Sequence, residues 1–233
     1  MNRETVFGYA KDMGIELDEI ALDRFELLEQ RLLRWNEHIN LTAITEPEEI
    51  AVKHFADSLS VLYAEKPPFG AKLIDIGSGA GFPGLPLLIA RPDLEITFLD
   101  SVEKKLGFIK DFMRQAGLVA QTVHSRAEEL SHDPNHREAY DYAVSRAVAP
   151  LNILAEYCIP FVRPGGLFIA MKGADDETAL GEQAVNTLGG HIEQTVYLKL
   201  ANGDERNLVL IRKISQTPSK YPRKHKKITT KPL

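Results

Sequence analysis

The sequence predicts an α/β fold in which helices cover both faces of a doubly wound, mostly parallel sheet, and three observations support this. Between residues 72 and 171, short apolar runs alternate with helical patterns. The first of these runs ends in a glycine-rich turn, which in such folds joins a buried strand to a helix. The last two runs, at 191–200 and 206–213, are separated by a turn short enough for an antiparallel hairpin.

The composition bounds the class of protein. Hydrophobic residues make up 44% and charged residues 26% of the 233 positions, which is typical of a globular chain with one main domain and an appendage. No apolar run reaches membrane-spanning length, and the first residues contain no apolar signal segment. The single cysteine, Cys158, excludes a disulfide framework and a cysteine-cluster metal site. We expect a cytoplasmic monomer that binds neither a membrane nor a metal.

Two helices are predicted before the sheet begins. Apolar residues from Leu17 to Ile39 recur every three or four positions, which indicates one face of a long amphipathic helix. Thr45 and Glu48 have the spacing of a capping box, so a second helix should cover about residues 46–64.

Three polar residues of that second helix, His54, Asp57 and Ser58, have the spacing that places them on one helix face. The spacing favours an exposed helix surface with a His-Asp pair. The alternative is a substrate-contacting edge that faces the glycine-rich turn. The Pro-Pro-Phe-Gly segment at 67–70 is predicted to be a linker between this helix and the sheet.

The remaining elements alternate along the chain. The predicted strands are residues 72–76, 95–99, 120–124, 140–145, 167–171, 191–200 and 206–213. The predicted helices between them cover about residues 83–91, 102–115, 150–162 and 177–188. We expect one antiparallel edge strand on an otherwise parallel seven-stranded sheet, in the order 3-2-1-4-5-7-6.

The segment 75–84 carries the most specific chemical information. Gly79, Gly81 and Gly84 fit the G-x-G-x-x-G pattern of dinucleotide sites, although such a match is weak alone. Asp75, however, stands at the carboxyl end of the strand, where a carboxylate repels a diphosphate and attracts the ammonium group of a methionine moiety. S-adenosylmethionine is therefore favoured over NAD. A tight turn without a ligand remains the alternative.

The glycines of this segment are also expected to bring amide N–H groups against the ligand, and Pro83 is expected in the first turn of the next helix. Asp100 follows the second strand at a separation from Gly77 that allows an acid to bind a ribose diol, although a helix N-cap is the competing interpretation. Ala127 and Glu128 follow the third strand, where backbone groups would meet the adenine, and Phe82 would supply an apolar wall.

Cations occur at the same sheet edge and in the C-terminal tail. Arg146 follows the fourth strand and Lys172 ends the fifth, so each could fix a phosphate or a carboxylate, or could pair with a neighbouring acid. Residues 214–233 contain six Lys or Arg and no acid, whereas the whole chain has a net charge of −5. This distribution is typical of a segment that contacts a polyanion, and a solvated disordered tail is the alternative.

Seven motifs occur in an order that resembles a known family. They are Asn40-Leu-Thr42, His54-Phe-Ala-Asp57-Ser58, Asp75-Ile-Gly-Ser-Gly-Ala-Gly-Phe-Pro-Gly84, Leu99-Asp100-Ser101, Ser125-Arg-Ala-Glu128, Ser145-Arg146-Ala147 and Tyr221-Pro-Arg223. Together they resemble the glucose-inhibited division protein B family, which methylates N7 of a guanine in 16S ribosomal RNA. The resemblance implies a Rossmann-like class I methyltransferase fold, S-adenosylmethionine as cofactor, and a ribosomal guanine near the decoding centre as acceptor.

The resemblance also assigns residues. It implies cofactor contacts for Gly77, Phe82, Ala127, Glu128 and Arg146, in addition to Asp75, Gly79 and Asp100. It implies RNA-facing roles for His54, Asp57, Ser58, Lys172 and the basic tail, including Arg223 and Lys224. In this chain the tail lacks the Gly and Pro that usually follow the Pro-Arg pair.

These assignments divide the chain into an N-terminal helical segment (1–66), a methyltransferase domain (67–213) and a basic tail (214–233). No residue is assigned as a catalytic acid or base, because guanine N7 already exposes a lone pair. The competing functions are a dinucleotide-dependent oxidoreductase, a methyltransferase acting on a small molecule, and a non-catalytic RNA-binding factor.

Overall fold

The structure, a computed structural model, describes residues 3–146 and 149–233. Its strands are β1 Lys72–Ile76, β2 Glu95–Asp100, β3 Gln121–His124, β4 Tyr140–Arg146, β5 Val162–Lys172, β6 Gly190–Lys199 and β7 Glu205–Lys213. Its α-helices are α1 Arg3–Asp12, α2 Glu19–Asn36, α3 Pro47–Ile50, α4 Asp57–Ala64, α5 Gly84–Ala90, α6 Glu103–Ala116, α7 Ala127–Leu130, α8 Leu151–Cys158, α9 Thr178–Thr187 and α10 His225–Thr230. Ala147 of the Ser145–Ala147 motif lies outside the described residues.

The seven strands form one sheet in the order β3-β2-β1-β4-β5-β7-β6, which confirms the expected order. β7 runs antiparallel to both of its neighbours, β5 and β6, so the antiparallel strand lies second from the edge. The expectation that it would be the edge strand was wrong. The burial of the two strands explains the difference, because residues 207–211 of β7 are buried whereas most of β6 is partly or fully exposed.

The predicted first long helix is confirmed as α2, which begins after Asp18 and ends at Asn36. The Asp18 carboxylate accepts a hydrogen bond from the amide of Ala21 at 2.7 Å and so caps the helix. The helix α1 was not predicted, because Val6 and Ala10 are its only buried residues among those the structure describes.

The predicted second helix is present but is not uniform. It consists of α3, a π-helical turn over Ala51–Ala56, and α4. Such π-helical turns occur often at functional sites. This one contains His54 and leads directly into Asp57.

The predicted helix over residues 150–162 is shorter than expected, because α8 ends at Cys158 and a 3₁₀ turn follows over Ile159–Phe161. Pro160 lies in that turn and lacks an amide donor, so the α-helical hydrogen-bond pattern cannot continue through it. β5 therefore begins at Val162, before the predicted start at residue 167.

Both ends of the chain pack against the sheet. On one face, Phe25 and Phe55 from the N-terminal helices share a hydrophobic cluster with Phe98 of β2. On the other face, Tyr221 and Ile228 from the tail share a cluster with α8 and α9. The disordered-tail alternative was therefore wrong, while the domain boundaries at 66 and 213 stay predictions. No helix in the described ranges is long and apolar enough to span a bilayer.

Candidate active site

The predicted site residues gather where the parallel strands β1, β2 and β4 end at one edge of the sheet. In doubly wound folds this edge is where ligands bind. A cavity of about 270 Å³ opens there, which we call the nucleoside pocket. Gly77, Asp100, Ala127 and Glu128 line it, together with the apolar side chain of Ile153. Four of the eight predicted cofactor contacts therefore share one pocket.

The loop after β1 does not present its amides as expected. Three of its glycines adopt positive φ angles, of 71° at Gly77, 56° at Gly79 and 83° at Gly81. Six loop amides donate to acceptors within the chain: those of Gly77 and Ser78 to Leu99 O, of Gly79 to Asp100, of Gly81 and Phe82 to Ser78 O, and of Gly84 to Asp75. The expectation that the glycine amides face the ligand was wrong. These six N–H groups do not form the anion-binding nest that a diphosphate requires.

Asp75 lies beneath the loop and is fully buried. Its Oδ2 accepts a hydrogen bond from the amide of Gly84 at 3.0 Å, while its Oδ1 has no partner among the described residues. Burial is the largest cause that raises the pKa of Asp75 to about 7. The unsatisfied Oδ1 suits a hydrogen-bond donor from a ligand, so the contact with a methionine ammonium stays a prediction.

Pro83 occupies the N-cap position of α5, one residue before the helical turn in which it was expected. The helix therefore begins at Gly84, whose position has no room for a side chain. A Cβ atom there would lie 2.4 Å from the Phe98 ring and 2.7 Å from Asp75 Oδ2. The glycine is needed because α5 must start directly above the buried carboxylate.

Asp100 accepts two backbone hydrogen bonds without being the N-cap of α6, which is Val102, and the ribose contact expected of it stays a prediction. One carboxylate oxygen accepts from the amide of Val102 at 2.8 Å, at the start of the segment that leads into α6. The other accepts from the amide of Gly79 at 2.8 Å and so ties the glycine loop to β2. Each carboxylate oxygen keeps a further lone pair, and Asp100 lines the nucleoside pocket. It can therefore still accept hydrogen bonds from ribose hydroxyl groups.

Glu128 stands in the same pocket at the start of α7 and is buried. Arg126 Nη1 lies 3.9 Å and His225 Nδ1 lies 4.0 Å from its Oε1. The pocket thus combines apolar walls with two carboxylates, Asp100 and Glu128. This donor and acceptor set fits an adenosine, which has a flat base, an exocyclic amine and a ribose diol.

Phe82 and Arg146 do not line the nucleoside pocket but belong to a second group of residues. This acceptor cluster consists of His54, Asp57, Phe82, Arg146 and Arg206. The His54 ring stacks on Phe82 with centroids 4.4 Å apart and an interplanar angle of 11°. The Arg146 guanidinium lies 5.2 Å from the Phe82 ring centroid. Asp57 pairs with both arginines at 3.0 Å.

The acceptor cluster corrects the interpretation of the second helix. His54, Asp57 and Ser58 are all buried, so the exposed-surface interpretation was wrong. Ser58 contributes by donating its hydroxyl hydrogen to the backbone oxygen of His54. Arg206 is the second residue of β7 and lies 149 residues from Asp57 in sequence. It was missed because no local pattern marks it.

His54 is held as a neutral ring. Its Nδ1 accepts from Arg146 Nη2 at 3.3 Å, which places the ring proton on Nε2 for donation to Thr42 Oγ1 at 2.8 Å. Burial, followed by the charge of Arg146, lowers the pKa of His54 to about 3. A group with so low a pKa is a poor proton acceptor at neutral pH.

The remaining predicted RNA-facing residues have different environments. Arg223 points inward and pairs with the fully buried Glu156 at 2.6 Å, and Lys172 pairs with Glu177 at 2.9 Å and donates to Ala149 O. Both cations are paired with acids in this structure, and their RNA-facing roles stay predictions. Lys224, in contrast, is exposed.

The fold, the nucleoside pocket and the comparisons with known proteins agree on the class of protein. Over 75% of this chain and 91% of the other, the structure resembles that of precorrin-6y C5,15-methyltransferase from Geobacter metallireducens, with a TM-score of 0.51 and 17% sequence identity. This likeness shows the methyltransferase fold. The sequence comparisons described next show that the chain is a methyltransferase of the class that uses S-adenosylmethionine.

The family follows from sequence comparison. Residues 21–209 match the family model described as GidB, rRNA small subunit methyltransferase G. Relatives with the name ribosomal RNA small subunit methyltransferase G include one from Pelotomaculum thermopropionicum, 46% identical and covering 95% of this chain and 94% of its own length. Another, from Caldanaerobacter subterraneus, is 46% identical and covers 96% of this chain and 95% of its own. The chain belongs to the rRNA small subunit methyltransferase G family, as the seven motifs indicated.

Proposed function

We propose that this chain transfers the methyl group of S-adenosylmethionine to N7 of a guanine in 16S ribosomal RNA, acting as a monomer in the cytoplasm. The observation that carries the proposal is the acceptor cluster, in which two buried, stacked aromatic rings lie beside guanidinium donors, with no effective proton acceptor among the described residues. His54 has a pKa near 3, and Asp57 is paired with two arginines. Such a site suits an acceptor atom that needs no deprotonation, and guanine N7 carries a free lone pair.

The cofactor supplies a methyl group activated by its sulfonium charge. Asp100 and Glu128 would hold its nucleoside portion, and the buried Asp75 would accept from its ammonium. The chain itself contributes orientation and the exclusion of water, since no proton transfer has to precede the attack.

Arg146 is suited to orient the acceptor base. Three of its hydrogen bonds go to Lys53 O, Asp57 and His54, whereas a guanidinium carries five N–H groups. The remaining donors suit guanine O6, which lies beside N7 on the same edge of the base. Asp57 and the Phe82 ring fix the plane of the guanidinium, so the donors are held in place before the RNA binds.

The test is to incubate the protein with methyl-labelled S-adenosylmethionine and either naked 16S RNA or small ribosomal subunits. The RNA is then digested to nucleosides and the labelled product is identified by mass spectrometry. We expect 7-methylguanosine, suppressed by excess S-adenosylhomocysteine. Label on another nucleoside, or transfer to small molecules but to neither RNA substrate, would contradict the proposal. RNA binding without any transfer would instead indicate a non-catalytic RNA-binding factor.

A further inference from the structure

The nucleoside pocket has a wall that comes from the far C-terminus. His225 and Thr229, both in α10, line the pocket together with Tyr157 of α8. The Tyr157 hydroxyl lies 2.7 Å from His225 Nδ1, and the two rings are 24° from parallel with centroids 6.2 Å apart. His225 Nδ1 also lies 4.0 Å from the Glu128 carboxylate. The tail therefore contacts residues on both α7 and α8 around the pocket.

The segment that carries this wall is fixed to the domain by buried contacts. We call residues 221–230 the C-terminal cap. The Glu156 carboxylate accepts from the Arg223 amide at 2.7 Å and from its guanidinium Nη2 at 2.6 Å. Arg137 donates to Tyr221 O at 3.0 Å, and the side chain of Ile228 is completely buried. The docked position of the cap is thus specified by charge, hydrogen bonds and packing.

The cap also carries an exposed basic surface. Lys224, Lys226 and Lys227 are exposed, within three residues of His225 along the chain. A groove between the cap and α7 is lined by Arg126, His132, Lys224 and Lys226, together with Glu128 and Glu129. The same short segment therefore presents one surface to the cofactor pocket and another that suits the phosphates of a nucleic acid.

We propose that the C-terminal cap is part of the cofactor site, that His225 contacts the bound nucleoside, and that RNA on the cap lysines and cofactor in the pocket strengthen each other's binding. The groove beside the cap lysines and the nucleoside pocket share Arg126, Glu128 and His225, so a ligand that orders these side chains in one site orders them for the other. Linkage makes the effect reciprocal. This inference rests on the proposed function, because it takes 16S RNA as the substrate.

The first test concerns His225. Calorimetry measures the affinity for S-adenosylhomocysteine, which avoids turnover, of the wild type, His225→Ala and His225→Asn. We expect His225→Ala to lose about tenfold in affinity, the usual scale for one hydrogen bond. His225→Asn should recover part of the loss because it can still bond Tyr157. The exposed His191→Ala serves as the matched control and should bind like the wild type. Wild-type affinity in His225→Ala would overturn the proposal, whether or not its melting temperature changes.

The second test measures the coupling. The affinity of the wild type for S-adenosylhomocysteine should rise about fivefold or more when 16S RNA is saturating. The variant with Lys226→Ala and Lys227→Ala should lose this gain, whereas a control with Lys66→Ala and Lys110→Ala, both exposed outside the cap, should keep it. A wild-type protein that binds both ligands with no gain would overturn the coupling. A wild-type protein that binds neither ligand would instead contradict the proposed function.

Discussion

Asp75 is a motif residue whose depth in the structure differs from what its sequence position suggests. The sequence places this acid at the carboxyl end of β1, and from its charge we expected a contact with the ammonium group of the ligand. The structure places it beneath the loop, where Gly84 donates to one oxygen and the other oxygen has no partner among the described residues. The depth of a strand residue depends on the strands and helices around it, so the motif alone could not predict it.

The raised pKa of Asp75 gives a pH-dependent stability that a matched variant isolates. Because its folded pKa is about 7 and its unfolded pKa is 3.8, its contribution is fully present below pH 3.8 and is lost as the pH rises through 7. Asp75→Asn removes this loss. In the absence of cofactor, the free energy of unfolding of Asp75→Asn minus that of the wild type should therefore increase between pH 4 and pH 8. Urea denaturation at several pH values measures the difference, and a difference that does not change with pH would contradict the prediction.

His54 contributes with the opposite sign. Its folded pKa of about 3 lies below the ordinary 6.5, so its contribution is present above pH 6.5 and is lost as the pH falls toward 3. The wild-type profile thus contains two opposing contributions in the same range. Comparison with Asp75→Asn at each pH is needed because the His54 contribution cancels in the difference.

Asp100 can be tested by cofactor affinity. Asp100→Ala should weaken binding of S-adenosylhomocysteine by about 1–3 kcal/mol, the range for leaving hydrogen-bonding groups without partners. Asp93→Ala is the matched control, because Asp93 also accepts from a glycine amide, that of Gly70 at 3.2 Å, but precedes β2 at the opposite end of the strand. Calorimetry measures the affinity of both variants for S-adenosylhomocysteine. Equal affinities in the two would remove Asp100 from the cofactor site.

At the scale of elements, the sequence predicted the position of the loop between β1 and α5 well. It did not predict the direction of the amide groups in that loop. The glycines of the motif correctly indicated a tight turn, since three of them need positive φ angles. The direction of the amides was not predictable, because their acceptors include Leu99 and Asp100 at the end of a neighbouring strand. The order of the strands was predictable for a different reason: alternating elements followed by a short hairpin resemble the Rossmann-like methyltransferase fold, which implies this order.

Gly84→Ala tests the close packing of this loop. The added methyl group would lie 2.4 Å from the Phe98 ring, and both neighbours are buried, so the free energy of unfolding should fall by about 1–3 kcal/mol. Gly8→Ala in α1, with nothing within 4 Å of the new atom, should instead stabilise slightly. Urea denaturation measures both. A Gly84→Ala protein as stable as the wild type would show that the loop tolerates a side chain.

At the scale of the whole molecule, charge is divided between the body and the tail. The net charge is −5, yet residues 214–233 contain no acid. The sequence predicted this basic segment correctly, but it could not indicate that Arg223 turns inward to Glu156 while Lys224 stays exposed. That distinction depends on contacts between parts of the chain that are distant in sequence. The difference between the inward Arg223 and the exposed Lys224 also explains how the tail can be both basic and well packed against the domain.

The cap lysines should dominate the salt dependence of RNA binding. Each phosphate contact contributes about 0.7–0.9 to the slope of log K against log salt, so replacing Lys224, Lys226 and Lys227 with Ala should reduce the slope by about 2. Replacing the exposed Lys66, Lys72 and Lys110 with Ala tests whether the effect is specific to the cap. Filter binding at several salt concentrations gives the slopes. Equal reductions in the two triple variants would argue against a phosphate-binding tail.

The central claim is that the chain positions guanine N7, which needs no base to remove a proton before it accepts the methyl group. Replacing that one atom of the RNA tests the claim most directly. After the methylated guanosine is mapped, the same 16S RNA is prepared with 7-deazaguanosine at that position, which replaces N7 by a carbon. Methyl transfer from labelled S-adenosylmethionine is then measured for both RNAs, together with their binding affinities. We predict equal binding but no transfer to the 7-deaza RNA, whereas transfer at the rate of the unmodified RNA would contradict the account.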